Sequence, residues 1–225
     1  MPKSDAALDS SEAPVEPLRA DARARLGSAL RRLGNDVVGH HVDDELLDEL
    51  TATLTEYSAR FRAGERQSRA VLAFHEHWDA GIGEGEEVVS SIYRPFSGQA
   101  SPWSLEPVVQ RRGDGVTARL TLREAHEGAP ERSHGGIVAG LFDDILGCVL
   151  HVTGEGAFTG ELVVRYENAV PLHRELTCEC RIVGREGRKL YMTGELLDGE
   201  VVVARTTATF ITPRIALVQS TFDPA

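Results

Sequence analysis

The residues with the clearest chemical potential in this chain are a His-Gly-Gly turn and an acidic residue that follows it. Residues 133–136, Ser-His-Gly-Gly, lead directly into an apolar run that reaches Asp143 and Asp144. Backbone N–H groups at the N-terminus of a helix carry partial positive charge and attract anionic oxygen. A carboxylate on the same helix can act on a carbonyl group that such N–H groups hold. This segment therefore has the residue types of an acyl-transfer site.

The predicted helix has two different faces at about 100° per residue. One face collects large apolar residues: Ile137, Val138, Leu141, Phe142, Ile145, Cys148 and Val149. The opposite face collects small residues: Gly136, Ala139, Gly140 and Gly147. Asp143 lies in the middle of this small-residue stripe, whereas Asp144 lies about 100° away. Since internal glycines cost about 1 kcal/mol each relative to alanine, another protein segment or a ligand is expected to approach the backbone there.

The helix alone leaves two interpretations of Asp143 open. In the first, the carboxylate is an acid or base that works on a bound carbonyl group. In the second, the glycines serve only close packing, and backbone donors hold the carboxylate without any chemistry. A carboxylate in such an environment is a candidate for catalysis and no more.

Composition limits the class of protein. A chain of 225 residues with 41% hydrophobic content is long enough for one ordinary domain with an extension. Its formal net charge of −11 argues against nucleic acid or an anionic membrane as the main partner. We recognise no apolar run that approaches the roughly 20 residues of a membrane span, and no signal-peptide core near the N-terminus. The expectation is a cytoplasmic protein without a membrane span.

The cysteines and histidines do not predict a metal or redox site. The three cysteines, Cys148, Cys178 and Cys180, are interpreted as small buried hydrophobic residues of a reducing compartment. His75 and His77 share a face only if their segment is extended, and no further ligand stands at metal-binding spacing. We expect neither a metal nor a cofactor.

The N-terminal part of the chain is predicted to be a disordered tail, residues 1–17, followed by a helical arm, residues 18–87. The first helix, residues 18–33, has an apolar stripe and a basic opposite face. Such a helix can lie on a membrane, but packing on its own domain or on a partner subunit is favoured. Asp43 is the expected N-cap of a second helix. The apolar stripe of that helix is Leu46, Leu47, Leu50, Leu54, Tyr57 and Phe61.

The remaining residues, 88–225, are predicted to form the folded domain. Residues 116–122 alternate apolar and polar side chains, as a half-buried strand does. Four further strand-like segments follow the central helix: residues 159–168, 175–183, 188–197 and 200–212. Asp198-Gly199 between the last two is a hairpin signal. One long buried helix followed by antiparallel strands predicts an α+β fold with the helix on one face of the sheet.

These features together resemble the hotdog-fold acyl-CoA thioesterases, specifically the phenylacetic-acid-degradation (PaaI-like) and Them-type branch. The family pattern is His-Gly-Gly, six residues and then the catalytic Asp, which falls here on Asp143. Other matching elements are the loop at Pro95-Phe96-Ser97-Gly98, Thr159 at a strand start, Pro171-Leu172 and Gly187-Arg188-Lys189. The resemblance covers about residues 90–212. It implies an antiparallel sheet wrapped around one long central helix, preceded here by a helical extension.

The resemblance also implies a role for each site residue. The Gly136 N–H would polarise a thioester carbonyl, and Asp143 would act as general base or as nucleophile. Thr159 would position the attacking water. His134 would orient the turn or bind the thioester, or else serve only as a structural cap. The residues assigned to substrate binding are Gly135, Gly140, Asn168, Arg188 and Lys189. Because the family forms its sites between subunits, a homodimer or a dimer of dimers is expected.

Hydrolysis of an acyl-CoA or another acyl-thioester is the leading hypothesis. Relatives often carry Arg-Pro where this chain has Asn168-Ala169, so a cation for the phosphates of coenzyme A must come from elsewhere. The candidates are Arg188 and Lys189, or His173 and Arg174. Coenzyme A and an acyl-carrier protein therefore stay open as the carrier. The alternatives are a non-catalytic hotdog module that binds acyl-thioesters or acts as a scaffold, and a hydratase, for which the Gly-Asp-x-Asn-Pro-x-His stretch is missing.

Overall fold

The computed structural model describes residues 17–65, 81–89 and 91–213. The predicted tail before residue 17 and the apolar segment with His75 and His77 lie outside these residues. The helices are α1 (Pro17–Gly39), α2 (Asp44–Arg62) and α3 (Gly135–Thr153). The strands are β1 (Val108–Arg112), β2 (Gly115–Thr121), β3 (Glu127–Ala129), β4 (Arg132–Ser133), β5 (Phe158–Tyr166), β6 (Glu175–Glu186), β7 (Lys189–Asp198) and β8 (Val201–Ile211). The division of the chain at residues 17 and 87 stays a prediction.

Six of the strands form one antiparallel sheet in the order β1-β2-β6-β7-β8-β5. The strand segments that follow α3 are confirmed, and Asp198 pairs with Val201 across the predicted hairpin. β6 is longer than predicted, because it continues through Glu186 past a bulge between Ile182 and Gly184. β5 is an edge strand whose only neighbour in this sheet is β8. β3 and β4 form a separate short hairpin that leads into α3.

The core of the domain is the interface between α3 and the sheet. α3 contacts β1, β2, β5, β6 and β7, and its predicted apolar face is buried, with Val138, Leu141 and Phe142 at 0% exposure. The helix ends at Gly154, whose φ of 66° is the left-handed conformation that glycine adopts without strain. The predicted α+β arrangement of one central helix and an antiparallel sheet is confirmed.

The composition of α3 corrects one expectation from the sequence. Among the helices in the described ranges, α3 alone is long and apolar enough to cross a bilayer, whereas no such run was expected. More than half of it is buried inside the protein. Its apolar character is accounted for by its position as the core helix.

The arm docks on the domain through a face that differs from the predicted one. Gly27 packs against the backbone of Gln99, and the buried guanidinium of Arg31 donates to the Ser101 carbonyl at 2.6 Å and to Glu106 at 2.8 Å. The predicted apolar stripe of α1 stays partly exposed, with Leu26 at 42%. Packing on the domain is therefore confirmed, but polar groups and a glycine carry it.

The helix boundaries of the arm agree with the sequence in part. α1 continues past residue 33, where the predicted helix ended, and ends at Gly39. Asp43 is the N-cap of α2, as predicted, because its carboxylate accepts from the Leu46 N–H at 2.9 Å. No residue of α2 is buried.

Candidate active site

Asp143 and Thr159, two of the predicted site residues, lie in contact. Asp143 is exposed on α3, and Thr159 stands at the start of β5. The Thr159 hydroxyl donates a hydrogen bond to Asp143 Oδ1 at 2.7 Å. Among the residues that the structure describes, none donates to the second oxygen, Oδ2. One carboxylate oxygen is thus fixed in place, and the other is accessible to water or substrate.

Asp144 has a structural role. It is 4% exposed, and both of its carboxylate oxygens are used: Oδ1 accepts from Arg94 Nε at 2.6 Å and Oδ2 from the Phe96 N–H at 2.9 Å. Arg94 also donates to the Asp144 carbonyl at 2.8 Å. Burial works to lower the pKa of Arg94, but the neighbouring Cys148 and Asp144 outweigh it and raise that pKa, so the guanidinium stays charged. Asp144 therefore anchors the loop that begins at Arg94.

This loop also accounts for the small-residue stripe on α3. The ring of Phe96 lies against Gly140, and the guanidinium of Arg94 lies against Gly147. A Cβ atom at either glycine would overlap these side chains. Of the two possibilities left open above, a protein segment occupies this part of the stripe. Phe96 covers Gly140 in this structure, and the assignment of Gly140 to substrate binding stays a prediction.

His134 is the N-cap of α3, and its ring occupies the Gly136 N–H in this structure. His134 Nδ1 accepts from the Gly136 N–H at 2.9 Å, and the hydroxyl of Tyr166 donates to the Gly135 carbonyl at 2.7 Å. The peptide group between the two glycines is therefore held at both of its polar ends. No residue in the described ranges accepts a hydrogen bond from the Gly135 N–H. The donor left available at the helix N-terminus is Gly135, one residue before the one predicted.

Two residues of the site were missed by the sequence analysis. Tyr166 follows Leu162 and Val164 on one face of β5, so it resembled a core residue, although it is 50% exposed. The role of Arg94, in contrast, could have been predicted from the sequence. A carboxylate at the edge of an apolar helix needs a cationic partner when it is buried, and Arg94 directly precedes the Pro95-Phe96 loop.

The available N–H and the carboxylate are too far apart within one chain to act on one carbonyl group. Gly135 and Asp143 are eight residues apart on α3, and at a rise of 1.5 Å per residue this separation is about 12 Å along the axis. Reacting groups have to lie about 3 Å from the atoms on which they act. Within one chain, the Gly135 N–H and the Asp143 carboxylate therefore belong to two separate places and cannot act on the same carbonyl group.

Comparisons with known proteins concern the segment that contains these residues. A sequence model of the Thioesterase superfamily matches residues 133–205, which include the His134 turn, Asp143 and Thr159. A solved structure of a thioesterase superfamily protein superposes with a TM-score of 0.70 at 22% identity, over 84% of this chain and 94% of that one. The domain has the hotdog fold, and its residues 133–205 are similar to the Thioesterase superfamily.

The curated relatives of this hotdog domain are named as acyl-coenzyme A thioesterases. THEM5 of Mus musculus is 31% identical over 87 residues, which are 38% of this chain and 35% of that protein. THEM4 of Xenopus laevis is 30% identical over 87 residues, which are 38% of this chain and 39% of that protein. The chain thus spans little more than a third of the length of the curated relatives that it matches.

The hotdog sheet places two of the predicted phosphate-binding cations near the site. Ile211 of β8 pairs with Phe158 on one side and with Lys189 on the other. Lys189 therefore stands at the same end of the sheet as Thr159, two strands away, which is about 10 Å at 4.8 Å per strand. Arg188 precedes it in the exposed turn and donates to the Thr212 carbonyl at 3.1 Å.

The other residues considered for substrate binding are engaged in the hotdog domain itself. The Asn168 amide donates to the Val202 carbonyl at 2.9 Å, so it fastens the end of β5 to β8. Arg174 pairs with Asp198 at 2.9 Å, and His173 Nε2 lies 3.7 Å from Glu124. Within the described ranges, no group of three or more His, Cys, Asp or Glu residues is placed to hold a metal ion.

Proposed function

We propose that this chain is a thioester hydrolase that acts on an acyl-CoA or on another acyl-thioester. The observation that carries the proposal is the exposed carboxylate of Asp143, which Thr159 holds at 2.7 Å inside the segment that matches the Thioesterase superfamily. The names of the curated relatives, acyl-coenzyme A thioesterases, support the same reaction class.

A homodimer completes the site in this proposal. β5 is an edge strand with exposed apolar side chains, including Val163 at 53%, and such an edge is suited to pairing with another strand. An antiparallel pair of β5 strands with its two-fold axis between Leu162 and Val163 sets Thr159 opposite Tyr166 of the partner subunit. Thr159 holds Asp143 and Tyr166 holds Gly135. Pairing therefore brings the carboxylate of one subunit toward the N–H donor of the other.

The reaction follows from these two groups. The Gly135 N–H at the helix N-terminus polarises the thioester carbonyl, and one such donor contributes about 3 kcal/mol to transition-state stabilisation. Asp143 takes a proton from water, the resulting hydroxide adds to the carbonyl carbon, and the carbon–sulfur bond breaks. Asp143 then returns the proton to the departing thiolate, so the products are a free acid and a thiol. Arg188 and Lys189 are the candidate partners for the phosphates of coenzyme A.

Direct attack by Asp143 is the other form of this mechanism. The carboxylate would expel the thiolate and form a mixed anhydride, which water then hydrolyses. A single turnover in ¹⁸O-labelled water tests for this form. Label in the carboxylate of Asp143 shows an anhydride that water cleaves at Asp143, whereas label in the released acid alone is the result of general-base catalysis or of an anhydride that water cleaves at the substrate carbonyl.

The test is a panel of acyl-CoA substrates with detection of free thiol. Wild-type protein is expected to hydrolyse at least one of them, and Asp143→Asn is expected to lose at least a hundredfold in kcat/KM. Glu200→Gln, which changes an exposed carboxylate in the turn after β7, should retain full activity. Equal activity of wild type and Asp143→Asn would remove Asp143 from the mechanism. Ligand-dependent thermal stabilisation without any turnover would instead support a non-catalytic acyl-thioester binding module.

A further inference from the structure

α2 carries an apolar seam that the described part of its own chain leaves uncovered. The seam consists of Leu47, Leu50, Leu54, Tyr57 and Phe61. Leu50 is half-buried, and the other four are between 38% and 65% exposed. In proteins, most of the stability of an amphipathic helix comes from packing of its apolar face rather than from helix propensity. A seam of this kind therefore needs a covering surface.

The spacing of the seam identifies the kind of surface that fits it. Successive members are separated by three, four, three and four residues, which is the a/d pattern of a heptad repeat. The pattern runs over most of the 19 residues of α2, a length of about 28 Å at 1.5 Å per residue. Side chains at a and d positions interlock with the same pattern on a second helix.

The charges on α2 indicate which helix covers the seam and whether the two helices run parallel or antiparallel. Its N-terminal half carries Asp44, Glu45, Asp48 and Glu49, and its last turn carries Arg60 and Arg62. A parallel pair of α2 helices would set acidic residues against acidic residues. An antiparallel pair sets each acidic half against the basic end of its neighbour, and it also aligns the two helix macrodipoles favourably.

We infer that α2 pairs antiparallel with α2 of a second copy of this chain. In the register that the seam and the charges favour, Leu54 faces its own counterpart at the two-fold axis, and Leu47 lies opposite Phe61 of the partner subunit. The same register sets Glu49 beside Arg60 of the partner subunit, on one side of the seam. The anchoring of α1 through Arg31 fixes the base of the arm on each domain, so the paired helices join two hotdog domains.

Cysteine cross-linking of the full chain tests both the pairing and its direction. The three native cysteines are buried, so a cysteine introduced on α2 is the reactive one. Under mild oxidation, Leu54→Cys is expected to form at least tenfold more covalent dimer than Ala52→Cys. Residue 52 lies on the opposite face of α2 from the seam, so its thiol points away from the second helix. Leu47→Cys should not cross-link, because an antiparallel pair separates the two copies of residue 47 by about 21 Å. The double variant Leu47→Cys/Phe61→Cys should cross-link again.

Two outcomes would overturn the inference. Efficient cross-linking of both Leu54→Cys and Leu47→Cys as single variants would indicate a parallel pair. No covalent dimer of Leu54→Cys above the Ala52→Cys level would exclude this pairing of the seam. No residue of α2 is buried, so these variants leave the domain core intact, and thioester hydrolysis is a separate measurement whose result does not decide this one.

A charge swap tests the register in the same assay. Arg60→Glu in the Leu54→Cys background is expected to reduce the rate of cross-linking severalfold, because it sets a glutamate beside Glu49 of the partner subunit. Adding Glu49→Arg should restore the rate. Failure of the second change to restore it would contradict the proposed register.

Discussion

Asp143 and Asp144 are consecutive residues of α3, yet one is exposed and bound by Thr159, while the other is buried and bound by Arg94. The turn of about 100° between adjacent helical residues produces this division. One carboxylate keeps an open oxygen for chemistry, and its neighbour holds a loop against the helix. Substitutions at the two positions are therefore expected to have different effects.

Asp144→Asn is expected to lower the free energy of unfolding by about 3 kcal/mol, because it leaves the largely buried guanidinium of Arg94 without its charged partner. Chemical denaturation measures this change. Asp143→Asn is the matched control and should remain within about 0.5 kcal/mol of wild type, as exposed substitutions usually do. Similar losses of stability in both variants would contradict the structural role of Asp144.

Thr159→Val is expected to reduce kcat/KM between tenfold and a hundredfold, because it removes a hydrogen bond to a charged group, worth about 1.5–3 kcal/mol. Steady-state kinetics with the best acyl-CoA substrate measures the effect. Thr159→Ser keeps the hydroxyl and should retain most of the activity. If the valine variant were as active as wild type, the orientation of Asp143 by Thr159 would have no catalytic value.

Gly140→Ala is expected to destabilise the domain by about 1–3 kcal/mol, because the added methyl group overlaps the ring of Phe96. A double-mutant cycle with Phe96→Leu isolates this contact. The double variant should lose less stability than the sum of the two single variants, since the smaller side chain leaves room for the methyl group. If the stability losses of the two single variants simply added in the double variant, the ring of Phe96 would not be the group that the added methyl overlaps.

A pH dependence of stability is expected from His126. Burial and the neighbouring Arg123 lower its pKa below the usual 6.5 in the folded protein. The unfolded chain therefore binds the proton more readily, so the stability present above pH 6.5 is lost as the pH falls through the folded-state pKa. His126 Nδ1 also accepts from the Arg123 N–H at 2.9 Å, which a protonated ring cannot do.

Unfolding of wild type and His126→Asn between pH 8 and pH 5 checks this expectation. The wild-type protein should lose more stability over this range than the variant, whose amide oxygen can accept from Arg123 at every pH. His40→Asn, an exposed substitution on the arm, should follow the wild type. Parallel curves for wild type and His126→Asn would contradict the prediction.

The sequence was sufficient to predict the elements whose side chains alternate or repeat in a regular way. The strands around Cys178 and Met192 and the buried face of α3 follow from hydrophobic periodicity, which local sequence carries directly. The docking face of α1 could not be predicted in this way. It depends on Arg31 reaching carbonyl groups about 70 residues further along the chain, and periodicity contains no information on such partners.

The site was predictable in its residue types but not in its hydrogen bonds. Asp143 and Thr159 follow from helix geometry and from the resemblance, and the structure brings them into contact. The use of the Gly136 N–H depends on the orientation of the His134 ring, which the sequence does not specify. The hydrogen bond to the Gly135 carbonyl comes from Tyr166, which is 31 residues away in the sequence. Tyr166 comes near Gly135 because β5 packs beside the turn before α3.

The position of β5 in the sheet also affects how the domain forms during synthesis. β5 ends at Tyr166, but its sheet neighbour β8 ends at Ile211, about 45 residues later. At about 5–20 residues per second, a ribosome needs about 2–9 s to make that segment. Throughout this interval β5 has no strand to complete its ladder. The nascent chain is therefore exposed to aggregation while residues 167–211 are made, and chaperone binding is expected to be strongest in that interval.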